Sequence, residues 1–444
     1  MPLNVIKPDN VLNKIRKLLA ARSVILLIER FFRLGAGALV TFMVARMLGA
    51  EALGTYGLVM VWTAFLAPLT NLGMNNLVQK MASSQSDPAK AMQFLQTAVW
   101  LRIIAGGVFG LLMIAGFMLF YPHYFAAGPW QIAMLFMLQS FFALILFEYQ
   151  QNYLGHFRAV ALTKIAVSAL TLMVRIWGLL QGYGISFLLL IVGIEFLLTG
   201  AVQYYWYRRY APDDARWHWQ FFDWPAGKAL LKRSSWLWVS GIVSVIYLKI
   251  DTVMIESMLG VAATGQYTAV ARISELWYVI PVTLAARYYP DLLKAFEQSW
   301  PQYLLILRRR GLQFFGLALV ISILMTISAY WIMLFAYGEK FTGSTTVLQI
   351  HVWAGCFVFV RALISQHLII TGNEPLSLLS HGVGALLNVG LNFLLIPRMG
   401  IEGAAWATLI SYAYASFFFI FFSKKTRAHF FEMLKLKRES LSSG

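Results

Sequence analysis

Charge and cysteine are what this sequence has least of. Its single cysteine, Cys356, excludes an internal disulfide bond and lies in an apolar run, where it is expected to pack. Only 12% of the 444 residues are charged, whereas a soluble domain has about 25%. Acidic residues are especially scarce, with 19 against 36 basic ones. A large soluble globular protein is therefore excluded.

Motifs for catalysis and metal binding are also missing. The sequence has no H-E-x-x-H, no G-x-S-x-G, no Walker pattern and no cluster of metal ligands. Residues 3–22 are too polar for the apolar core of a signal peptide, so none is expected. In a membrane protein an excess of Lys and Arg first reports topology, so no nucleic-acid partner is expected.

Apolar residues make up 59% of the chain, and apolar runs long enough to cross a membrane recur throughout it. The sequence predicts an all-α membrane protein with about twelve transmembrane helices. The predicted spans are Ser23–Met47, Leu53–Lys80, Phe94–Tyr121, Gly128–Gln150, Val160–Gln181, Ile185–Trp206, Ser235–Met258, Gly265–Leu293, Tyr303–Ala336, Thr345–Thr371, Leu376–Ile396 and Gly403–Ser423.

These spans predict a chain organised in five parts. Residues 1–22 form a cytoplasmic amphipathic segment, 23–206 a six-helix N-lobe, 207–233 a polar cytoplasmic linker, 234–423 a six-helix C-lobe, and 424–444 a basic cytoplasmic tail. Of the 36 Lys and Arg residues, 25 are assigned to the termini and the even-numbered connections, and only three to the odd-numbered ones. Both termini are therefore predicted to be cytoplasmic.

The two halves carry a repeated motif. Met47–Tyr56 and Met258–Tyr267 are identical at six of ten positions, and each forms the outer hinge between the first two spans of its half. Two six-helix lobes in parallel orientation are predicted, with substrate bound at their interface. The predicted hinge and kink residues are Gly49, Gly54, Pro68, Gly260, Gly265 and Pro281.

Charged side chains inside the spans are the candidate functional groups, because a charge at the bilayer centre costs roughly 2.5–3.5 kcal/mol on insertion scales. In the first span, Glu29 and Arg33 are four residues apart and are predicted to pair on one face. Arg33 lies about 15 Å from the inner end of the span, near its middle. Arg30 lies on the same general side, although its side chain could also extend to the membrane surface.

The seventh and eighth spans carry further candidates. Arg272 and Glu275 are three residues apart and are predicted to pair, either at a transport pathway or simply to lock packing. Asp251 is the best candidate for a carboxylate that takes up a proton or an ion, the alternative being a structural partner of an arginine. Lys249 is expected to point away from Asp251, and Arg287 near the inner interface could simply extend to water.

Two more arginines lie inside spans, Arg175 in the fifth and Arg361 in the tenth. When residues near the inner ends of the spans are counted with the connections, the spans hold eight cations, seven of them arginine, and five acids. A cavity lined by them is predicted to attract an anion, and arginine suits contacts with phosphate. The predicted substrate-binding cations are Arg30, Arg33, Arg175, Lys249, Arg272, Arg287 and Arg361, and the coupling candidates are Glu29, Asp251 and Glu275.

Several motifs, taken in order, resemble a known family. They are R-L-G-A-G and A-R-M-L-G-A-E-A-L-G-T-Y-G at the first hinge, K-I-D and G-Q-Y at the second, E-L-W-Y-V-I-P at 275–281, Y-G-E-K-F at 337–341 and G-N at 372–373. Together they resemble the polysaccharide-transport branch of the multidrug/oligosaccharidyl-lipid/polysaccharide (MOP) exporter superfamily, over nearly the whole chain.

The resemblance implies a V of two six-helix lobes and a Wzx-type flippase that works by alternating access. Such a protein moves undecaprenyl-pyrophosphate-linked oligosaccharides for O-antigen or capsule across the bacterial inner membrane. Its implied partners are this lipid-linked substrate and membrane lipids, with a polysaccharide polymerase and a chain-length regulator as further candidates. No cofactor is implied, and a proton or Na⁺ gradient is a candidate driving force.

Two other functions stay open. A MATE-like drug antiporter of the same fold would favour a carboxylate-lined cavity, and the surplus of arginine in the spans argues against it. A membrane polysaccharide polymerase or glycosyltransferase usually needs a sizeable extracytoplasmic loop with catalytic acids, and every outside connection predicted here is short.

Overall fold

The computed structural model describes residues 22–75, 77–78, 88–126, 128–153, 155–210 and 222–442, and every element among them is helical. The helices are α1 (Arg22–Asn71), α2 (Pro88–Phe120), α3 (Pro122–Ala126), α4 (Pro129–Leu138), α5 (Phe147–Tyr153), α6 (Phe157–Leu180), α7 (Ile185–Tyr210), α8 (Trp224–Leu259), α9 (Val261–Glu275), α10 (Val279–Gln298), α11 (Trp300–Tyr337), α12 (Thr345–His351), α13 (Ala354–Ile370), α14 (Glu374–Met399), α15 (Ile401–Ser416) and α16 (Lys424–Ser442). Four 3₁₀ segments join them at Gln139–Leu146, Leu276–Tyr278, Glu339–Ser344 and Phe418–Phe421. The predicted all-α membrane fold is confirmed. The amphipathic segment predicted at residues 1–22 lies, apart from Arg22, outside the described residues.

Ten helices in the described ranges are long and apolar enough to cross a membrane, and a pair bent by 41°, Glu339–His351 with Ala354–Ile370, makes eleven. This count takes Leu27–Asn71 as one candidate of 45 residues. A helix of that length extends about 68 Å, more than twice the roughly 30 Å hydrocarbon core of a bilayer. Twelve spans remain a prediction, which the length of this helix favours.

Glycine breaks the helices at the two predicted hinges. Gly49 inside α1 has φ 86° and ψ −172°, and Gly260 between α8 and α9 has φ 84° and ψ −178°. Residues with a Cβ atom avoid this region of positive φ, so both turns depend on glycine. The repeated sequence therefore produces the same backbone turn twice.

In each repeat a proline lies next to a point where the regular α-helix is interrupted or ends. Pro281 is the third residue of α10 and directly follows the 3₁₀ segment Leu276–Tyr278. Because proline has no N–H, it cannot donate to the carbonyl of Trp277, and the regular helix is interrupted there. Pro68 lies inside α1, one turn before that helix ends at Asn71.

The chain divides into two compact units. Unit 1 consists of Met1–Val40 and Trp62–Val239, and unit 2 of Thr41–Val61 and Ser240–Gly444. Residues 41–61 of α1 lie within the predicted N-lobe but belong to the unit that holds the second half of the chain.

The core of unit 1 joins α2, α5, α7 and the start of α8. The ring of Phe147 stacks on that of Tyr207 at 4.0 Å, and Gln96 Nε2 donates to the Tyr207 hydroxyl at 2.9 Å. Leu230, inside the predicted linker, is fully buried in this core. Helix α8 already begins at Trp224, because the Asp223 side chain accepts a hydrogen bond from Ala226 N at 3.2 Å and caps it. Within the described part of the predicted linker, residues 207–210 and 224–233 are thus helical.

A core cluster of unit 2 lies among α10, α11 and α13. Its fully buried members include Leu292, Tyr303, Phe314 and Phe359. Helices α11 and α13 run antiparallel, because Tyr303 pairs with His367 at one end while Ser322, farther along α11, lies beside Cys356. This packing fixes the helices that carry Arg287 and Arg361, two of the six charged candidates of unit 2.

Candidate functional site

A cluster of charges lies inside unit 1, where α1 meets α5 and α6. Arg33 Nε lies 2.6 Å from Glu29 Oε1, which is the ion pair that the four-residue spacing predicts. Lys164 Nζ lies 3.6 Å from the same oxygen and 3.0 Å from Glu148 Oε2. The Glu29 side chain is 4% exposed and that of Arg33 is 42% exposed. Glu29 thus anchors two cations, and one of them remains accessible.

Lys164 is a member of this cluster that sequence reasoning missed. It lies within α6, whose candidate span is Phe157–Leu180, but was counted with the preceding connection. Its position eight residues into the span was the available signal. Arg30, one turn before Arg33, is exposed and has no ion-pair partner among the described residues. With Arg30 included, the cluster holds three cations and two carboxylates.

Arg175 is neutralised within unit 1. Its guanidinium pairs with Glu195 on α7, and Ser168 Oγ donates to the other oxygen of the same carboxylate at 2.8 Å. The two charges neutralise each other, and the Arg175 side chain is buried. This pair joins α6 to α7.

In unit 2, Glu275 pairs with a different cation from the one predicted. Lys249 Nζ lies 2.7 and 2.8 Å from the two oxygens of Glu275. The predicted pair of Glu275 with Arg272 is therefore wrong: Glu275 is the last residue of α9, and its carboxylate turns to α8. Arg272 Nε is buried and has no hydrogen-bond partner among the described residues. Arg272 is thus left without a carboxylate partner among the described residues.

Asp251 is surrounded by hydroxyl groups. The hydroxyl of Tyr267 donates to Asp251 Oδ2, and Thr408 Oγ1 lies 3.4 Å from the same oxygen. The other oxygen, Oδ1, accepts from Thr252 N at 2.8 Å. Within the described ranges no Lys, Arg or His lies within ion-pair distance of this carboxylate. The alternative of an arginine partner for Asp251 is therefore wrong, and a buried carboxylate with neutral donors can change its protonation state.

His351 extends the polar surroundings of these groups. Its Nδ1 lies 2.8 Å from Ser274 Oγ, on the residue before Glu275, and its ring meets that of Tyr267 edge-on at 5.8 Å. Asp251, Tyr267, Ser274 and His351 are all buried. Together with Lys249 and Glu275 they form one polar region of unit 2.

Arg361 and Arg287 differ in their surroundings. Arg361 donates to Ala415 O at 3.0 Å and to Ser377 Oγ at 2.8 Å, and its guanidinium lies 5.1 Å from the Phe419 ring centroid. It therefore ties α13 to α14 and to the end of α15. Arg287 on α10 is exposed and makes no ion pair with a described residue. Of these two, Arg287 is the one free to contact another molecule.

Arg102 in α2 is one of the eight cations counted inside the spans, but it was not included among the candidates. It is 1% exposed, and none of its three guanidinium nitrogens has a hydrogen-bond partner in the described part of the chain. The only signal in the sequence was a charged residue inside an apolar span. Such a position does not indicate which residue, if any, is its partner.

Comparison with known proteins assigns the family. The model of the family described as "Polysaccharide biosynthesis protein" matches residues 19–291. The chain is 22% identical over 391 residues to "Probable flippase AglR" of Haloferax volcanii, covering 84% of this chain and 77% of that protein.

Solved structures show the same fold at low sequence identity. "Lipid II flippase MurJ, inward closed conformation" superposes with a TM-score of 0.69 at 16% identity, covering 93% of this chain and 90% of that one. An inward-facing multidrug resistance MATE family transporter of the MOP superfamily also gives 0.69, at 14% identity, covering 92% and 96%. The fold is thus that of MOP transporters. Because the family model spans more than half of its length, this multi-pass membrane chain belongs to the polysaccharide biosynthesis protein family.

Proposed function

We propose that the protein is a flippase for undecaprenyl-pyrophosphate-linked oligosaccharides. It moves repeat units of an O-antigen or capsule from the cytoplasmic to the periplasmic leaflet of a bacterial inner membrane, with both termini in the cytoplasm. Membership of the polysaccharide biosynthesis family supports the substrate class. Similarity to proteins described as flippases, AglR and MurJ, supports the reaction.

One observation carries the proposal: the surplus of cations in the charge cluster of unit 1. Glu29 is shared by Arg33 and Lys164, and Arg30 adds another cation close by. The Arg33 side chain keeps 42% of its surface exposed while paired, so part of its fork of donors is free. A guanidinium held in this way suits bidentate contact with a phosphate group.

The candidate cations take different parts in this proposal. Arg30 and Arg33 in unit 1 and Arg272 in unit 2 bind the pyrophosphate and sugars along the transport path. Arg287, which is exposed, helps to capture the headgroup. Arg175 and Arg361 hold helices together, because both are buried against protein acceptors. Lys249 neutralises Glu275 and sets the charge of the polar region around it.

Asp251 is the proposed site of coupling to a proton or Na⁺ gradient. Protonation of this carboxylate would convert Oδ2 from an acceptor for the Tyr267 and Thr408 hydroxyls into a donor, which rearranges the contacts among α8, α9 and α15. Glu29 and Glu275 are the other coupling candidates, but each is held by cations. A polysaccharide polymerase and a chain-length regulator are proposed as partners that act on the transported product.

A drug antiporter is the second candidate, because MATE transporters share the fold. Its cationic substrates would be repelled by the net positive cluster in unit 1, which disfavours it. Growth of an efflux-deficient strain on toxic cations separates the two functions: an antiporter confers resistance, and a flippase does not. A membrane polymerase or glycosyltransferase is disfavoured by the transporter fold.

Surface polysaccharide in a strain that lacks its own flippase tests the proposal. Arg33→Ala and Arg272→Ala are expected to abolish the polysaccharide while the protein still inserts, and the corresponding Lys variants are expected to retain part of it. Arg398→Ala is a matched control, since this exposed side chain donates only to Leu394 O on its own helix. Full complementation by both Ala variants would contradict the proposal.

A further inference from the structure

A cavity of about 310 Å³ lies within unit 2, apart from the charged regions described above. Its walls come from α11, α13, the 3₁₀ segment Phe418–Phe421 and α16, and we name it the C-terminal groove. Most of the lining side chains are apolar, among them Leu307, Leu363 and Phe430. A Cβ atom at Gly311 would meet only Leu363, at 3.8 Å, so α11 presents a gap where the groove passes.

Two histidines that line the groove, His367 and His429, lie together at one end of it. Tyr303 Oη lies 2.6 Å from His367 Nδ1, and His429 Nδ1 lies 3.3 Å from His367 Nε2. This chain joins the first turn of α11, the last turn of α13 and α16. The opposite end is marked by Leu312 and Val360, which lie farther along the antiparallel helices. One end of the groove is therefore polar and the opposite end is apolar.

The groove wall also carries a basic side chain, midway between Leu304 and Leu312. Arg308 lines the groove and makes no ion pair with any carboxylate in the described ranges. Arg309 and Arg310 follow it, and α16 begins with Lys424 and Lys425. Basic pockets between membrane helices are typical binding places for the headgroups of anionic lipids.

The dimensions of the groove distinguish between lipid chains. From Leu304 to Leu312, α11 rises about 12 Å, close to the roughly 15 Å depth of one leaflet of a bilayer core. One acyl chain of a phospholipid matches this length, whereas the eleven isoprene units of an undecaprenyl chain far exceed it. The match argues for a resident lipid and against the tail of the proposed substrate.

We propose that the C-terminal groove binds one acyl chain of an anionic phospholipid whose phosphate is contacted by Arg308. The site lies beyond the proposed transport function and does not depend on it. The bound lipid fills the space that α16 covers, so it fastens this helix to α11 and α13. Phosphatidylglycerol is a suitable probe, with phosphatidylcholine as its zwitterionic counterpart.

Arg308→Gln and Arg309→Gln are a matched pair of variants that tests binding of the lipid headgroup. The full chain is purified from bilayers of phosphatidylcholine with added phosphatidylglycerol, and retained lipid is measured by mass spectrometry. Arg308→Gln is expected to weaken phosphatidylglycerol binding about fivefold, whereas Arg309→Gln, exposed and outside the groove, leaves it nearly unchanged. Equal retention by both variants and the wild type would overturn the assignment.

Gly311→Phe and Gly311→Ala form a matched pair for the chain. The phenyl group fills the groove and is expected to abolish retention of phosphatidylglycerol, while the methyl group has room and preserves it. If Gly311→Phe does not fold, the charge pair still decides the question. Displacement of phosphatidylglycerol by equimolar undecaprenyl phosphate would also overturn the proposal, because the groove would then belong to the substrate tail.

Discussion

The backbones of Gly54 and Gly265 touch, and these two residues occupy equivalent positions in the two repeats. A Cβ atom at Gly54 would lie 3.0 Å from Gly265 N, and one at Gly265 would lie 3.0 Å from Gly54 N. Three residues on, a Cβ atom at Gly57 would meet the side chain of Thr268, again its equivalent. The two repeats therefore cross at their own matching positions, with no room for a side chain at Gly54, Gly57 or Gly265.

Gly54→Ala and Gly265→Ala are expected to push apart the two helices that cross here. Overpacking of such a contact costs about 1–3 kcal/mol, so each variant should melt at a lower temperature than the wild type and transport less. Gly35→Ala is the control, because no atom lies within 4 Å of a Cβ atom there. Thermal unfolding in detergent measures the effect, and wild-type melting of both hinge variants would contradict the close contact.

Lys249 and Glu275 are expected to behave as a coupled pair. Lys249→Met leaves the carboxylate unpaired and Glu275→Gln leaves the ammonium unpaired, so each should destabilise the protein. The double variant removes both charges and should recover part of the loss, with a coupling energy of about 0.5–3 kcal/mol. A double-mutant cycle by thermal unfolding gives this value. Strict additivity of the two single effects would mean that the pair does not form.

Asp251→Asn is expected to fold and to lose the dependence of transport on a gradient. The amide oxygen can still accept from Tyr267, so packing is preserved, but the side chain no longer titrates. Tyr267→Phe is the companion variant: it removes the donor and keeps the carboxylate. Transport into proteoliposomes with and without an imposed proton or Na⁺ gradient provides the measurement. An unchanged gradient response in Asp251→Asn would place the coupling elsewhere.

Acidification is expected to weaken the attachment of α16 through His429. Burial lowers the pKa of His429 from its ordinary value of about 6.5, with Lys425 lowering it further and Glu432 opposing. The folded state therefore binds fewer protons than the unfolded state, so stability declines as the pH falls through about 6.5. His429→Gln should reduce the change in melting temperature between about pH 8 and about pH 5. His123→Gln on exposed α3 is the control, and an unaltered slope in His429→Gln would refute the assignment.

Arg102→Met is expected to leave the melting temperature unchanged or to raise it. The guanidinium is buried without a hydrogen-bond partner among the described residues, and replacing an uncompensated buried charge by an apolar side chain is commonly neutral or stabilising. A drop of several degrees in the melting temperature would show that Arg102 has a partner that stabilises the fold.

The spans and hinges were predictable from the sequence because they depend on local properties. Apolar length predicts the helices, and Gly49 and Gly260 mark the turns that need positive φ. The Glu29–Arg33 pair was predictable for the same reason, since a spacing of four residues fixes its geometry. Local patterns therefore predicted the framework and one ion pair.

Partners from distant helices were not predictable. Glu275 has Arg272 three residues away, yet it pairs with Lys249 on the preceding helix. Lys164 reaches Glu29 across 135 positions of sequence, and no spacing rule indicates that contact. Asp251 likewise finds Tyr267 and Thr408 on two other helices. Tertiary packing, rather than spacing along one helix, decides these pairs.

Helix α16 packs on the C-terminal groove through Thr426, His429 and Phe430, so the first half of this helix is part of the fold. Deleting α16 would expose the apolar wall of the C-terminal groove, and detergent would then bind there. Tags inserted within the first half of α16 would disturb the same contacts.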